Sequence, residues 1–180
     1  MKSKSRWILI GSILAFATLF YPAEVTLAPE WTVHIVDENG QSLTGVSVRE
    51  VWQHYSVERI SHEEDISTAA GGTVSFPRRS LRASRLSRIV GCAHQFGQLG
   101  VHASCGPVAY VIPFKCDYGA MQPNDMRGSD WTGWFTRSQK ISSQLVLRHC
   151  PAGATGIGCL PNSTQYYPSC MPSRGTTTLK

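Results

Sequence analysis

Short segments of strand-like pattern, separated by turn residues, fill residues 31–77. Trp31, Val33 and Ile35 alternate with polar residues, and a period of two is typical of a strand with one buried face. Similar alternation begins near residue 43, where a second strand can extend to Tyr55, and recurs over residues 73–76. The sequence therefore predicts three strands. If they share one core, these residues are buried together: Val33, Ile35, Val46, Val48, Val74 and Phe76.

Turn-forming residues separate these strands. Residues 37–40 read Asp-Glu-Asn-Gly, and a tight turn is predicted there because Asn and Gly accept a positive φ at low cost. Residues 61–65 are polar and acidic and are predicted to form a loop. Pro77 is expected to end the third strand because proline has no N–H for the strand ladder. The 16 glycines and 10 prolines fit the many turns of an all-β architecture.

Two glycine-centred motifs occur in this stretch. They are Val36-Asp37-x-x-Gly40-x-x-Leu43-x-Gly45-Val46-x-Val48 and Thr68-Ala69-Ala70-Gly71-Gly72-Thr73-Val74-Ser75-Phe76-Pro77. Together they resemble the carboxypeptidase regulatory-like domain, a transthyretin-like β-sandwich appended to many secreted proteins, although Ala69 stands where the family usually has Asp. The resemblance implies a mainly β, transthyretin-like or Ig-like β-sandwich over residues 30–149; another sandwich with similar turns is the alternative. It implies no activity, because nothing resembles the zinc peptidase domain that names the family.

The N-terminus has the pattern of a targeting segment. Residues 2–6 contain three basic side chains and precede an uncharged apolar run, residues 7–21. A spanning helix needs about 20 apolar residues, so this run has signal-peptide length, but extended to Ala23 it would allow a short span. Residues 1–23 are therefore predicted to be a signal peptide or a membrane anchor, and the poor cleavage sites favour the anchor. Either way the domain is expected outside the cytoplasm, membrane-anchored or, after cleavage, secreted or periplasmic.

The net charge argues against a polyanionic partner. The formal charge is +5, but three of the positive charges belong to the targeting segment, which has no acidic residue, and residues 24–180 carry +2. This is the balance of an ordinary solvated surface. Binding to nucleic acid is therefore not predicted.

A basic run follows the third strand. Its arginines are Arg78, Arg79, Arg82, Arg85 and Arg88. If residues 80–93 form a helix, Leu86, Ile89, Val90 and Ala93 share an apolar face. One interpretation is a membrane-surface adaptor, in which the arginines contact anionic lipid headgroups. The other, which the lack of interleaved aromatic residues favours, is a helix that packs its apolar face on the sandwich and leaves solvated arginines outside.

Two cysteines and two histidines lie close together in the middle of the chain, in the patterns Cys92-x-His94 and His102-x-x-Cys105. They are the residues of an alternative function, a small metal- or thiol-dependent enzyme or a zinc-binding protein. The spacing matches no usual zinc finger, and thiols outside the cytoplasm tend to oxidise, so a disulfide or free thiols are favoured over zinc. No catalytic, cofactor-binding or metal-ligating residue is assigned.

The distal part combines two predicted strands with loops. Residues 108–112 form one strand, ended by Pro113, and residues 144–148 the last, whereas residues 116–128 are loop-like. Between them lie three clustered aromatic residues that either bind a protein or carbohydrate partner or cover one end of the core: Trp131, Trp134 and Phe135. Residues 150–180 are predicted to be an irregular tail held by disulfides, whose pairing six cysteines do not determine. The predicted function is a non-catalytic extracytoplasmic structural or binding module.

Overall fold

The computed structural model describes residues 2–120, 130–132 and 140–150. This part of the chain is mainly β. Its helices and strands are α1 Lys2–Phe20, β1 Pro22–Ala28, β2 Glu30–Asp37, β3 Ser47–His54, β4 His62–Ser67, β5 Thr73–Phe76, β6 Arg79–Ser84, α2 Arg85–Leu99, β7 Pro107–Phe114, β8 Tyr118–Ala120, β9 Asp130–Thr132 and β10 Lys140–His149. A short 3₁₀ turn, Gly100–His102, follows α2.

The described strands form three sheets. One four-stranded sheet has the order β5-β2-β10-β8, the other has the order β4-β3-β7-β9, and β1 and β6 form a two-stranded sheet. The last described strand, β10, pairs in parallel with β2 from Lys140↔Glu30 to Leu147↔Asp37. The other pairs are antiparallel. β2, an early strand, and β10, the last described strand, therefore lie side by side in the middle of one sheet.

Both four-stranded sheets contribute to one hydrophobic cluster. Its fully buried members are Ala28, Trp31, Val33, Ile35, Val46, Val48, Val74, Phe76, Ala109, Val111, Leu145 and Leu147. The prediction that six residues of the first three strands are buried together is confirmed. The polar edge of Trp31 is satisfied inside the core, because its Nε1 donates to Ser143 Oγ over 2.9 Å.

The turn between β2 and β3 forms where the sequence predicts it. The Asp37 carboxylate accepts the backbone N–H of Asn39 at 2.8 Å and that of Gln41 at 2.7 Å. The Gln41 N–H is the main reason that the pKa of Asp37 lies below its ordinary value. Gly40 has a φ of 79°, as the turn requires.

Residues 62–65 belong to strand β4, so the loop predicted over residues 61–65 is wrong. This strand lies at a sheet edge and pairs with β3 from Ser47↔Ser67 to Trp52↔His62. Its acidic side chains are stabilised by a basic partner on β3, since Arg49 contacts Glu63 at 2.8 Å and Asp65 at 2.7 Å. The Arg49 hydrogen bond also holds the pKa of Asp65 below its ordinary value. An exposed edge strand needs no apolar alternation, which is why periodicity missed it.

The basic run is a strand followed by a helix, so a single helix over residues 80–93 is wrong. β6 pairs with β1, whose residues were not predicted to form a strand. Ser84 ends β6 and caps α2, because its Oγ accepts the N–H of Ser87 at 3.0 Å. The helix then continues to Leu99, beyond the predicted range.

Three smaller predictions are also corrected. α1 ends at Phe20 and Pro22 begins β1, so the apolar helix does not extend to Ala23. β7 continues through Pro113, which pairs with Val48, because β9 covers only residues 109–111 of its other edge. Residues 118–120 form β8 within a predicted loop.

No helix of the described ranges has the length and apolar character that crossing a membrane requires.

Candidate functional site

Charged side chains gather where β3, β4 and β6 meet. Alternation along β3 turns Glu50 to the same side as the buried Val48, and Glu50 lies directly opposite Glu64 of β4. Two neighbouring carboxylates would repel each other, but Arg79 of β6 contacts both: its Nε donates to Glu50 at 3.0 Å and its Nη2 donates to Glu64. We call Glu50, Trp52, His62, Glu64 and Arg79 the Arg79 cluster. It fastens the two-stranded sheet to a four-stranded one.

Aromatic rings complete the Arg79 cluster. The Arg79 guanidinium lies over the Trp52 ring, 4.3 Å from its centroid, and the Trp52 ring stacks on His62 at 5.6 Å. Glu50 is fully buried, and this burial raises the pKa of its carboxyl against the opposing effect of Arg79. One carboxylate oxygen, Glu50 Oε1, has no hydrogen-bond partner within the described part of the protein.

A second polar group surrounds the turn after β3, residues 55–57, which we call the Ser56 turn. His54 is fully buried, its Nδ1 accepts the N–H of Ser56 at 3.3 Å, and its own N–H donates to Glu58 at 2.6 Å. Glu58 also contacts the His62 ring at 2.8 Å and so joins this turn to the Arg79 cluster. Burial lowers the pKa of His54, and the positive charge of Arg88 lowers it further. An imidazole that accepts the Ser56 N–H at Nδ1 carries a proton on Nε2, and this Nε2 has no hydrogen-bond partner within the described residues.

α2 is fastened to the same turn by one of its sides. Gln95 Nε2 donates to the Tyr55 carbonyl at 3.0 Å. Gly91 lies so close to Ser56 that an added Cβ would be 1.7 Å from its carbonyl oxygen. Cys92 forms a disulfide with Cys105, just before β7. Gly91, Cys92 and Gln95 lie on the same side of the helix as the half-buried Arg88, because the four are spaced three or four residues apart. The side of α2 that faces the sheets is therefore small and polar.

The apolar side of α2 faces away from the protein. Ile89, Val90 and Phe96 are 60%, 57% and 55% exposed, and the helix has no buried residue. The expectation that the apolar face packs on the sandwich is therefore wrong. The physical reason lies in Gly91 and the disulfide, which draw the opposite side of the helix onto the Ser56 turn.

The five arginines of the basic run do not form one patch. Arg78 contacts Thr26 at 2.8 Å and Glu24 at 3.3 Å, and Arg79 belongs to its own cluster. Arg82 and Arg85 are exposed. Arg88, on α2, is half-buried and close enough to His54 for its charge to lower the pKa of that ring. Two arginines thus have structural partners and two are free to face a ligand.

The two cysteines of the Cys92-x-His94 and His102-x-x-Cys105 patterns are bonded to each other. Of the two alternatives favoured over zinc, a disulfide or free thiols, the structure has the disulfide, between Cys92 and Cys105. In this state neither sulfur is a thiolate that could ligate zinc. His94 and His102 are both exposed. Within residues 2–120, 130–132 and 140–150, no three His, Cys, Asp or Glu side chains are placed so that they could hold one metal ion. Cys116 and Cys150 are disulfide-bonded as well.

The aromatic cluster of the distal part is described only at its start. The backbone of Trp131 pairs with Tyr110 through β9. Trp134, Phe135 and the tail from residue 151 lie outside the described residues. The proposed partner site there stays a prediction.

Sequence reasoning missed the Arg79 cluster, although one signal pointed to it. Val46, Val48 and Glu50 fall on the same side of a predicted strand, and a carboxylate in such a register needs a cationic partner. The neighbouring arginines supplied candidates, but the pairing of β6 with β1 could not be read from them. Comparison of the chain with family models, with curated proteins and with solved structures finds no match.

Proposed function

We propose that this chain is an exported, non-catalytic structural or binding module with a carboxypeptidase regulatory-like, transthyretin-like β-sandwich. The observation that carries the proposal is that the residues of the two resembling motifs have identifiable structural roles. Asp37 and Gly40 build the first turn. Thr68 Oγ1 accepts the Val46 N–H at 3.0 Å and donates to the Leu43 carbonyl at 2.9 Å, which holds the second motif against the first.

Gly72 supports the same proposal. It has a φ of 71°, and a Cβ there would lie 2.6 Å from the Ile35 carbonyl oxygen. The N–H of Ile35 bonds the Gly72 carbonyl at 2.8 Å, so the glycine permits a close backbone approach between β2 and the turn before β5. Only glycine fits this position without strain.

Export is proposed from two independent features. The first is the basic start and apolar remainder of α1. The second is the Cys92–Cys105 disulfide, together with the bonded Cys116 and Cys150, because disulfides persist in oxidising compartments. The module would lie in the periplasm or outside the cell.

An alkaline phosphatase fusion tests the export. The full chain is fused at its C-terminus to the phosphatase, which becomes active only outside the cytoplasm, and expressed in bacteria. We expect activity, and we expect the same fusion without residues 2–20 to be inactive. Intact mass of the exported chain, reduced and non-reduced, then shows whether α1 is removed and how many bridges form. An inactive full-length fusion would contradict the proposal.

A zinc titration tests the alternative function of Cys92, His94, His102 and Cys105. The oxidised and the reduced full chain are each titrated with zinc while free thiols are counted. We expect no binding by the oxidised chain. Equimolar zinc bound with protected thiols in the protein isolated from its host would favour the alternative.

A further inference from the structure

α2 is oriented the opposite way to a usual surface helix, because its apolar face points outward. A helix on a globular protein normally turns its apolar side inward and its charged side to solvent. Here the residues that face the sheets are Arg88, Gly91, Cys92 and Gln95. The exposed side carries Ile89, Val90, Ala93 and Phe96, which span an arc of roughly 120° at 100° per residue.

The position of this face is fixed by several covalent and packing constraints. The disulfide, the Gly91 contact and the Gln95 hydrogen bond hold α2 in one orientation. α2 also contacts α1, yet its apolar residues remain more than half exposed with α1 in place. A contiguous apolar face presented in this way indicates that something outside the described protein covers it.

The surroundings of α2 identify the chemistry of what covers it. α1, β6 and α2 contain no acidic residue, and Arg85 projects at the border of the apolar arc, one turn before Ile89. An exposed arginine at such a border can place its guanidinium among phosphates while its stem follows the apolar surface. Apolar residues bordered by arginine are the composition of a helix that lies in the interface of an anionic membrane.

α1 extends the same apolar surface. Its exposed side chains include Trp7, Ile8, Leu9, Ile13, Leu14, Phe16 and Phe20. Only Tyr21 separates α1 from β1, and Pro22 of β1 pairs with Ser84, the cap of α2. The end of α1 and the start of α2 are therefore held side by side. A single apolar phase would cover both helices.

We propose that the outward face of α2 docks on an anionic lipid surface, with Ile89, Val90 and Phe96 among the acyl chains and Arg85 at the phosphates. This rests on the proposed export and on the prediction that residues 1–23 stay attached as a membrane anchor, and it adds to that anchor a second, disulfide-fixed contact. The sandwich would then have a defined orientation on the lipid surface instead of hanging freely from its N-terminus.

Photocrosslinking of the full-length oxidised protein tests the docking. p-Benzoylphenylalanine is incorporated in place of Phe96 or, as the control, in place of Gln98, which is exposed on another side of α2. Each protein is irradiated on vesicles of phosphatidylglycerol and phosphatidylcholine, and adducts are identified by mass. Because α1 brings both proteins to the vesicle equally, the adduct reports which surface the α2 face meets.

We expect lipid adducts at position 96 in at least about fivefold excess over position 98. We also expect Arg85→Gln to lower that yield by about fivefold, since one basic residue contributes about that factor at an anionic surface. Adducts with α1 or with a second copy of the chain, equal lipid yields at both positions, or an unchanged yield in Arg85→Gln would overturn the proposal. Purified protein is used, so failure of export does not affect this outcome.

Discussion

At Arg79 one guanidinium serves two carboxylates that face each other across β3 and β4. Glu50 is buried with its pKa already raised, so its ionised form depends on this partner. Removing a partner from a buried ion pair is costly because the remaining charge has no compensation, whereas an exposed pair contributes little. The two adjacent arginines, Arg78 and Arg79, should therefore contribute very differently to the free energy of unfolding.

We predict that Arg79→Gln lowers the free energy of unfolding by about 3–5 kcal/mol. Arg78→Gln, which removes an exposed contact to Glu24, is the matched control and should cost less than about 1 kcal/mol. Adding Glu50→Gln to Arg79→Gln should recover part of the loss because it removes the uncompensated charge. Urea unfolding of the four proteins measures these values. Equal losses from the two arginine variants would show that the Arg79 cluster has no special role.

His54 makes stability depend on pH. Its folded pKa lies below the ordinary value of 6.5, so the unfolded chain binds the proton first. The contribution of His54 to the free energy of unfolding is complete above pH 6.5. It is lost as the pH falls from there toward the folded pKa of His54. The slope approaches about 1.4 kcal/mol per pH unit. The lowered pKa values of Asp37 and Asp65 act in a different window, below their ordinary 3.8. The raised pKa of Glu50 acts above its ordinary 4.5 with the opposite sign, so comparison with a His54 variant isolates the histidine.

We expect the unfolding free energy to fall more, or rise less, between pH 7 and pH 5 than it does in His54→Asn. The Asn oxygen can still accept the Ser56 N–H, so the turn is retained. His94→Asn, at an exposed position of α2, should leave the slope unchanged. Urea unfolding over a pH series measures it. A slope that survives in His54→Asn would assign the dependence to another group.

At the scale of the elements, α2 rests on the Ser56 turn through a close backbone contact at Gly91, and its two glycines allow a matched test of that contact. A Cβ at Gly91 would strike the Ser56 carbonyl, whereas a Cβ at Gly97 meets no atom within 4 Å. We predict that Gly91→Ala destabilises by about 1–3 kcal/mol and that Gly97→Ala stabilises by about 0.5–1 kcal/mol, as alanine does in an open helix. Hydrogen–deuterium exchange of α2 should accelerate only in Gly91→Ala. Stabilisation by both substitutions would mean that α2 does not rest on the Ser56 turn.

Elements were predictable where their own residues carry the pattern. β2, β5 and most of β3 follow from alternation and turns, because one face of each is buried and the other is not. β4 and β6 were missed because they consist largely of polar residues. β1 and β6 also pair with each other from distant parts of the chain, as Ala23 opposite Ala83 shows. The direction of α2 could not be predicted either. Its periodicity locates an apolar face, but the contact of Gly91 with Ser56 decides where that face points.

At the scale of the whole molecule, the parallel pairing of β10 with β2 joins residues more than a hundred positions apart in the chain. The sequence indicated both strands but gave no sign that they are neighbours. Because β10 and β2 contribute to the same buried cluster as β3 and β7, we expect the two four-stranded sheets to unfold together. The Arg79 cluster and the Ser56 turn are attached to this common core, so their geometry depends on it.

Leu145 offers a direct test of that cooperativity, since it lies on β10 and is fully buried in the shared cluster. Leu145→Ala should lower the unfolding free energy by about 2–5 kcal/mol through lost burial and the cavity left behind. Gln144→Ala, an exposed change on the same strand, should alter it by less than about 0.5 kcal/mol. Native-state hydrogen exchange should show protection falling equally in β2 and in β7, although β7 belongs to the other sheet. If protection fell in β2 and β10 while β3 and β7 kept theirs, the sheets would be separate folding units, because a shared core cannot lose a central side chain on one side only.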